Sequence, residues 1–248
     1  MEQDKVILSH VTTPHGELQL QRWTETDKKG QPVYEVIFNG VFLMASYNEL
    51  SEKALATLAI EPLASDRQRL RVLIGGLGIG SSLHATLDYD SVQAVDVVEI
   101  EEHIIRWAKG VFSEQNHNAC SDSRVRLIHM DLGDYITQTD KTYDAIILDV
   151  DNGPGWLALA NNRRLYEKPA LGKFRALLRD GGVFTIWAAH QCAAFRKTLD
   201  QVFGRAELIT IPDVDLQGRS IDYFVYRAGS FQHGKGGVGR SDPPQPVT

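Results

Sequence analysis

Residues 71–80 read RVLIGGLGIG, and this stretch decides the fold of the chain. An apolar run ends there in a glycine-rich turn, and a segment of helical character, residues 81–87, follows. A strand, a glycine turn and a helix in this order hold an adenosine-type ligand against the N-terminus of the helix. Glycine is needed where the backbone turns sharply or touches the ligand, because a Cβ atom would collide. Gly76, Gly78 and Gly80 are therefore candidate nucleoside-binding residues.

From residue 69 onward, apolar strand-like runs alternate with helical patterns. The strands are predicted at 70–74, 93–98, 125–129, 143–149, 182–188, 206–211 and 221–227, and the helices at 80–88, 101–112, 131–138, 165–179 and 190–203. Continuous apolar runs such as residues 145–148, AIIL, are typical of parallel strands that are buried on both faces. The alternation predicts an α/β fold with a doubly wound, seven-stranded sheet.

The N-terminal residues have a different pattern, that of a small β-hairpin subdomain. Short strands are predicted at Lys5–Val11, Glu17–Trp23, Val33–Phe38 and Val41–Ala45. Asn39-Gly40 between two apolar runs is the strongest short signal for a hairpin. A helix is predicted over 48–60, and we expect Pro62 to end it.

These patterns divide the chain into three parts. Residues 1–62 form the β-hairpin region and its linking helix, and residues 63–229 form the nucleoside-binding catalytic domain. Residues 230–248 are rich in glycine, proline and polar side chains, which predicts a flexible tail. The length of 248 residues and the hydrophobic content of 43% suffice for one sizeable core with a small additional subdomain.

Composition excludes several classes of function. The net charge of −6 argues against binding to a nucleic-acid backbone. No apolar run reaches the roughly 18 residues that a membrane helix needs, and residues 1–5 do not resemble a signal peptide. Cys120 and Cys192 are isolated, which is typical of free thiols in a reducing compartment. We expect a cytoplasmic protein with no nucleic-acid or membrane partner.

Acidic residues stand where the second and third predicted strands end. Glu99 follows Gly76 by 23 residues, and a carboxylate at this point can accept both hydroxyls of a ribose. The alternative role, an acid that stabilises a helix N-terminus, suits Glu101 better. Asp131 could accept from an adenine amino group while the N–H of Leu132 faces the ring. Asp131 could also be a helix N-cap, and the two roles are compatible.

Residues 147–156, ILDVDNGPGW, carry the candidate reaction site. Asp149 and Asp151 follow the fourth strand, and ligands of open α/β sheets bind at this edge. Of two such acids, one can take a proton while the other orients an amine. Asn152 and Trp156 are candidate substrate-binding residues on a Gly-Pro-Gly loop that suits a lid. A metal pair and a turn stabilised by Asx hydrogen bonds are the alternatives, and we expect no metal because no histidine cluster is near.

Three weaker candidates follow the acidic loop. Trp187 could stack on adenine or bind a cation, although a buried tryptophan is more often part of a core. His190 could contact the substrate or begin a helix. Residues 161–166, NNRRLY, are interpreted as a capped helix start in preference to a substrate-facing loop.

With these motifs in order, the chain resembles the spermidine synthase-like family of polyamine aminopropyltransferases over nearly its whole length. The resemblance rests on Phe38–Val41 followed by Asn48-Glu49, on Ile74–Gly80, Val98–Glu101, Met130-Asp131, Asp149–Pro154 and Leu165-Tyr166, and on residues 178–182. It implies a Rossmann-like methyltransferase fold, an S-adenosylmethionine-type co-substrate and a small-molecule amine as the acceptor. In the family, the first acid of the acidic loop helps to deprotonate the attacking amine, a role that falls on Asp149.

The sequence departs from the family in the amine half of the site. The family's glycine loop carries an aspartate that helps to bind the aminopropyl end of decarboxylated S-adenosylmethionine, and Gly78 stands there. The family's glutamine after the hairpin is Leu43, its Tyr-His pair is Glu52 and Lys53, and its glutamine after the fifth strand is Trp187 or a neighbour. A glycine at position 78 removes a repulsion of the α-carboxylate of intact S-adenosylmethionine, so the intact molecule is a second candidate donor.

We therefore predict a transferase that uses intact or decarboxylated S-adenosylmethionine to alkylate an amine, with aminopropyl transfer implied by the resemblance. Methyl transfer, aminocarboxypropyl transfer and cyclisation of the intact donor are alternatives, because all are displacements at a sulfonium carbon. A nicotinamide dehydrogenase is disfavoured because Ser81 replaces its third glycine. Retention of Asp149 and Asp151 speaks against an inactive adenosine-binding protein. The N-terminal hairpins could pair across a homodimer.

Overall fold

The computed structural model describes residues 4–27, 30–47, 49–155, 157, 159–214 and 219–229. The predicted tail, 230–248, lies outside these ranges. The N-terminal part is an antiparallel sheet of β1 (Lys5–Thr13), β2 (Gly16–Thr26), β3 (Pro32–Phe38) and β4 (Val41–Ala45), in that order. The predicted Asn39-Gly40 turn joins β3 and β4, and both residues have a positive φ, of 50° and 76°. Positive φ at both central residues is what a two-residue hairpin turn requires.

The larger sheet has seven strands, as the sequence predicts. They are β5 (Leu70–Gly75), β6 (Val92–Glu99), β7 (Val125–His129), β8 (Tyr143–Leu148), β9 (Leu178–Ala188), β10 (Ala206–Val214) and β11 (Ser220–Gly229). Their spatial order is β10-β11-β9-β8-β5-β6-β7. Strands β5 to β9 run parallel, whereas β11 is antiparallel to both of its neighbours. The predicted α/β fold is confirmed.

Helices connect the strands, with bounds that differ in places from the prediction. They are α1 (Glu49–Ala64), α2 (Ser81–Leu87), α3 (Glu102–Lys109), α4 (Leu132–Gln138), α5 (Lys168–Leu177) and α6 (Ala193–Phe203), with 3₁₀ helices at Ala119–Ser121 and Ala160–Tyr166. The expected stop at Pro62 is wrong: α1 continues to Ala64, because a proline in the last turn costs only one helical hydrogen bond. The predicted helix 165–179 is present as the shorter α5, which begins at Lys168 with Pro169 in its first turn and ends at Leu177. Within the described ranges, no helix is long and apolar enough to cross a bilayer.

The central sheet separates two hydrophobic cores. Successive side chains of a strand point to opposite faces, and in β5 Val72 and Ile74 pack on one core whereas Leu73 packs on the other. The first core also holds Leu18 and Phe38 of the N-terminal sheet. Helices therefore cover both faces, which leaves the carboxyl edge of the sheet as the open surface.

The ends of the parallel strands meet at this carboxyl edge. Gly75 at the end of β5 is in register with Val98 of β6 and Leu148 of β8. The residues that follow, Glu99 and Asp149, are thereby brought to the same edge. The sheet order reverses at β5, and the crevice at such a point is where open α/β sheets bind ligands.

Candidate active site

A cavity of about 470 Å³ lies at the carboxyl edge of the sheet. Its walls come from the N-terminal sheet, the glycine turn, α1, the ends of β6 to β9, and β11. Of the residues predicted for the site, those that line it are Gly76, Gly78, Glu99, Asp131, Leu132, Asp149, Asp151 and Asn152. Residues from four separate sequence motifs are thus brought around one space.

The glycine turn fixes the floor of the cavity through backbone contacts. Gly76 has φ of +88°, and a Cβ added to it would lie 2.1 Å from the carbonyl oxygen of Asp149. Its N–H donates to the carbonyl of Val98 at 2.9 Å, and the N–H of Asp149 donates to the carbonyl of Gly75 at 2.8 Å. The turn therefore joins three strand ends, and only glycine fits at position 76.

Gly80 has a different position from Gly76 and Gly78. It precedes α2 with φ of +106° and is not among the described residues that line the cavity. A Cβ on Gly80 would lie 2.9 Å from the Cβ of the buried Asn116. The Asn116 amide donates to the carbonyls of Ile79 and Ala108, at 2.9 and 2.8 Å. Gly80 thus allows α2 to pack closely against the segment that holds Asn116.

Glu99 is buried beside the glycine turn. One carboxylate oxygen accepts from the N–H of Leu77 at 2.9 Å, and the other accepts from the N–H of Glu101 at 2.9 Å. Burial raises the pKa of Glu99, and these hydrogen bonds oppose the rise. A carboxylate has about four lone-pair sites, so Glu99 keeps acceptor capacity for a pair of hydroxyls in the cavity.

Asp131 is the N-cap of α4, the alternative that the sequence allowed. Its Oδ1 accepts from the N–H of Asp134 at 3.1 Å and forms an ion pair with Arg164 at 2.5 Å. The same side chain also lines the cavity. Leu132 begins α4, and the N–H groups of a first helical turn have no intrahelical acceptor. These two residues could therefore offer an acceptor and a donor to one edge of a heterocycle.

Asp149 lies between the glycine turn and α2. Its Oδ2 accepts a short hydrogen bond from the Ser82 hydroxyl in the first turn of α2. Burial raises the pKa of Asp149 to about 6, and the negative charge of Glu99 adds to the rise, whereas the Ser82 hydrogen bond opposes it. A carboxylate with a pKa just below neutral pH is ionised there and still accepts a proton readily, as a general base must.

Asp151 stabilises the loop that follows Asp149 through side-chain hydrogen bonds. It has φ of +62°, its Oδ1 accepts from the N–H of Asn152 at 2.9 Å, and its Oδ2 accepts from the N–H of Leu159 at 3.1 Å and the Asn162 amide at 3.0 Å. The turn that the sequence offered as an alternative is therefore present. Asn152 lines the cavity, and its buried Nδ2 has no hydrogen-bond partner among the described residues. Trp156 lies outside the described residues.

Residues 161–166 are not a capped helix start, contrary to the sequence interpretation. They belong to the 3₁₀ helix Ala160–Tyr166, whose N-cap Leu159 makes no side-chain cap. Asn162 lines the cavity because its amide is held by Asp151. Asn162 lies in this short 3₁₀ helix, whose turns place its side chain at the cavity.

Trp187 and His190 both line the cavity. The Trp187 Nε1 donates to the Ser51 hydroxyl at 3.0 Å, and its ring lies 5.3 Å from the ring of Tyr223 in β11. Trp187 therefore forms part of the cavity wall, where contacts with α1 and β11 hold it. It also packs against the first hydrophobic core.

Glu52 is the site residue that sequence reasoning did not assign. It lies on α1 and lines the cavity, and its carboxyl group hydrogen-bonds to the Ser81 side chain. Burial raises the pKa of Glu52 well above its usual value, and the charge of Asp149 raises it further. The sequence did contain a signal, because positions 52, 55, 56 and 59 form one helical face and the other three are buried. An acid on the buried stripe of a helix points to a function.

The cavity is strongly acidic. The described lining includes the carboxylates of Glu52, Glu99, Glu101, Asp131, Asp149, Asp151 and Asp222, and it includes no lysine or arginine. Apolar side chains such as Phe42, Leu43 and Met44 cover its N-terminal side. In the described part of the chain, no three His, Cys, Asp or Glu side chains are arranged to hold a metal ion. The site therefore suits an organic ligand that carries positive charge.

Comparison with known proteins identifies relatives of this arrangement. A family model described as the spermine/spermidine synthase domain matches residues 53–205. A polyamine aminopropyltransferase of Saccharolobus solfataricus is 30% identical over 180 residues, which cover 72% of this chain and 56% of that relative. Polyamine aminopropyltransferase 1 of Hyperthermus butylicus is 31% identical over 138 residues, or 54% and 46% of the two chains. The matches thus span about half the length of these relatives.

Solved structures share the fold at low sequence identity. A spermidine synthase in complex with the transition-state analogue AdoDATO matches 90% of this chain and 72% of its own, with a TM-score of 0.70 and 15% identity. The spermidine synthase of Thermotoga maritima matches the same fractions with a TM-score of 0.71 and 14% identity. The architecture of two sheets is therefore common to these proteins and this chain.

Proposed function

The chain belongs to the spermine/spermidine synthase family, and we propose that it transfers an aminopropyl group from decarboxylated S-adenosylmethionine to a small-molecule amine. The observation that carries this proposal is the cavity lining of seven carboxylates without a described lysine or arginine. The decarboxylated donor carries a sulfonium and a primary ammonium, and an amine acceptor is also cationic before it reacts. Such a lining attracts both molecules and repels the α-carboxylate of intact S-adenosylmethionine.

The nucleoside is bound by the strand ends. Glu99 accepts the two ribose hydroxyls with the lone pairs that Leu77 and Glu101 leave available. Asp131 accepts from the adenine amino group, and the N–H of Leu132 donates to the ring. Gly76 and Gly78 allow the ligand to approach the backbone, because neither carries a Cβ.

The chemical step is a displacement at the carbon next to the sulfonium. Asp149 takes a proton from the acceptor amine, whose nitrogen lone pair then attacks the propyl methylene. The new C–N bond forms as the C–S bond breaks, and the sulfur keeps the electron pair, so methylthioadenosine leaves as a neutral thioether. Asp151 and Asn152 position the acceptor from the same loop. Catalysis relies on alignment and on this base, because positive charge on sulfur disappears in the reaction.

A homodimer is part of this proposal. The edge strand β1 carries exposed Val6, Ile7 and Leu8, and exposed apolar strand edges favour pairing with another chain. Light scattering at two protein concentrations tests it, since Ile7→Lys should shift the mass toward a monomer of 27.7 kDa. A wild-type protein that is monomeric throughout contradicts the dimer.

Product identification tests the proposed reaction. The protein is incubated with decarboxylated or intact S-adenosylmethionine and a set of mono-, di- and polyamines, and nucleoside and amine products are identified by mass spectrometry. The proposal expects methylthioadenosine and an amine extended by one aminopropyl group, from the decarboxylated donor. S-adenosylhomocysteine from the intact donor would replace the proposal with methyl transfer. The matched control is Asp149→Asn, which should form both products far more slowly.

A further inference from the structure

Glu52 lies where it can distinguish donors by their charge, as the groups around it show. It lies one residue before Lys53 on α1, but the Lys53 ammonium is bound to Glu49 at 2.6 Å. No ion pair joins Glu52 to a lysine or arginine among the described residues. Of the charged groups that act on its pKa, the carboxylate of Asp149 has the largest effect. A desolvated carboxyl group beside a second one is costly when ionised, unless a cation lies between or beside them.

The hydrogen bond to Ser81 sets where that cation belongs. Leu77 donates to Glu99, the ribose-binding carboxylate of the proposed function, so the ribose lies over residue 77. Glu52 is held by Ser81, and Ser82 of the same helical turn is bound to Asp149. An alkyl chain that leaves the ribose through the sulfonium therefore passes Gly78 and reaches Glu52. Gly78 allows this path, because it carries no Cβ and the one atom within 4 Å of an added Cβ is the sulfur of the flexible Met44 side chain, at 3.3 Å.

We propose that Glu52 is a specificity-determining residue, which rests on the proposed function: it binds the primary ammonium at the end of the donor's alkyl chain and rejects a donor that carries an α-carboxylate. Asp149 stays available to take the proton of the acceptor. The carboxylate that the glycine turn lacks at Gly78 is thus supplied from α1. Burial and the charge of Asp149 raise the pKa of Glu52, and a bound ammonium would lower it again.

Isothermal titration calorimetry with two ligands separates this role from the nucleoside site. Decarboxylated S-adenosylmethionine carries the ammonium, whereas methylthioadenosine has the same nucleoside and no charge. We expect the wild-type protein to bind the decarboxylated donor at least about tenfold tighter than methylthioadenosine, the range of one charge-assisted hydrogen bond. Glu52→Gln should lose that preference and keep its affinity for methylthioadenosine within about twofold. Glu61→Gln, an exposed acid later on α1 that is not among the described lining residues, should change neither affinity.

Proton release gives a readout that a purely structural role of Glu52 would not change. Titrations in two buffers with different ionisation enthalpies report the protons released on binding. Because the donor ammonium lowers the raised pKa of Glu52, the wild-type protein should release more protons on binding the decarboxylated donor than on binding methylthioadenosine, and Glu52→Gln should abolish the difference.

Each other outcome has a defined meaning. If Glu52→Gln weakens both ligands equally, or weakens only the acceptor in steady-state kinetics, the proposed role of Glu52 is overturned. If the wild-type protein binds both ligands with equal affinity, the proposed role of Glu52 is overturned, whereas the proposed nucleoside site is retained. If the wild-type protein binds neither ligand, the proposed function itself fails.

Discussion

The two halves of the cavity are built in different ways. The half proposed to bind the nucleoside is made by strand ends that are joined through backbone hydrogen bonds around Gly76, and its side chains, such as Glu99, are also bound by backbone N–H groups. The half proposed to bind the amine is made by side chains from α1, the N-terminal sheet and β11, which are far apart along the chain. The first half is fixed by the fold itself. The second depends on individual side chains, so it can change while the fold and the nucleoside site persist.

The largest expected effect falls where the two halves meet, at Asp149. Asp149→Asn should reduce turnover by roughly 10²–10⁴-fold, because a general base is lost, and should leave the affinity for methylthioadenosine within a few-fold. Rate measurements and calorimetry on the same preparation check both parts. Unchanged turnover would remove Asp149 from the mechanism.

The pH dependence of the reaction follows from the same residue. The Asp149 pKa of about 6 means that the ionised base is lost as pH falls through 6. The ratio kcat/KM, which reports the ionisation of the free enzyme, should therefore decrease about tenfold per pH unit below that point. A rate that stays flat down to pH 5 would show that Asp149 does not act as the base.

Alanine substitutions at Gly76 and Gly78 compare the stability cost at a position fixed by the fold with the cost at a position beside the proposed amine half. Gly76→Ala would bring a Cβ to 2.1 Å from a carbonyl oxygen at a positive φ, and should cost about 3 kcal/mol or more of stability. Gly78→Ala meets only the Met44 sulfur at 3.3 Å, and should cost roughly 1 kcal/mol. Urea unfolding measures both. Equal costs would contradict the distinction between the two positions.

Glu99 tests whether the nucleoside half binds as described. Glu99→Ala should weaken methylthioadenosine by roughly 1.5–3 kcal/mol, because two hydrogen bonds to a charged acceptor are lost. The control is Glu102→Ala, an exposed acid one residue beyond the backbone contact that Glu101 makes with Glu99, which should have no effect. An unchanged dissociation constant for Glu99→Ala would end its proposed role with the ribose.

The smallest expected effect comes from moving a carboxylate from position 52 on α1 to position 78 in the glycine turn. In the Glu52→Gln background, Gly78→Asp should restore part of the preference for the decarboxylated donor, since it returns a carboxylate to the path of the alkyl chain. Aspartate tolerates the φ of +54° at this position better than most residues. Calorimetry on the double variant measures the recovery. A double variant without any preference for the donor would mean that position 78 does not face the alkyl chain.

The sequence places Gly76, Glu99 and Asp131 at one edge of the sheet, where all three line the cavity, for a physical reason. Gly76, Glu99 and Asp131 stand in local patterns, a glycine turn or an acid at a strand end, and a parallel sheet brings all such ends to one edge. The fold class and the Asn39-Gly40 hairpin are confirmed for the same reason, because local periodicity and turn chemistry determine them.

The amine half could not be predicted to the same extent. The role of Glu52 depends on where α1 packs, which places it beside Ser81 and Asp149 from distant parts of the sequence. Asn162 enters the site only because Asp151 takes up a positive φ and holds the 3₁₀ helix through a hydrogen bond. Such long-range contacts leave at most a faint local signal, like the acid on the buried stripe of α1.

A crystal structure of the protein with decarboxylated S-adenosylmethionine and no acceptor would test the two-part cavity most directly. The account predicts both ribose hydroxyls within hydrogen-bond distance, about 2.7 Å, of the Glu99 carboxylate. It also predicts the donor ammonium within about 3 Å of the Glu52 carboxylate. A nucleoside bound away from Glu99, or an ammonium that turns away from Glu52 toward other groups, would contradict it.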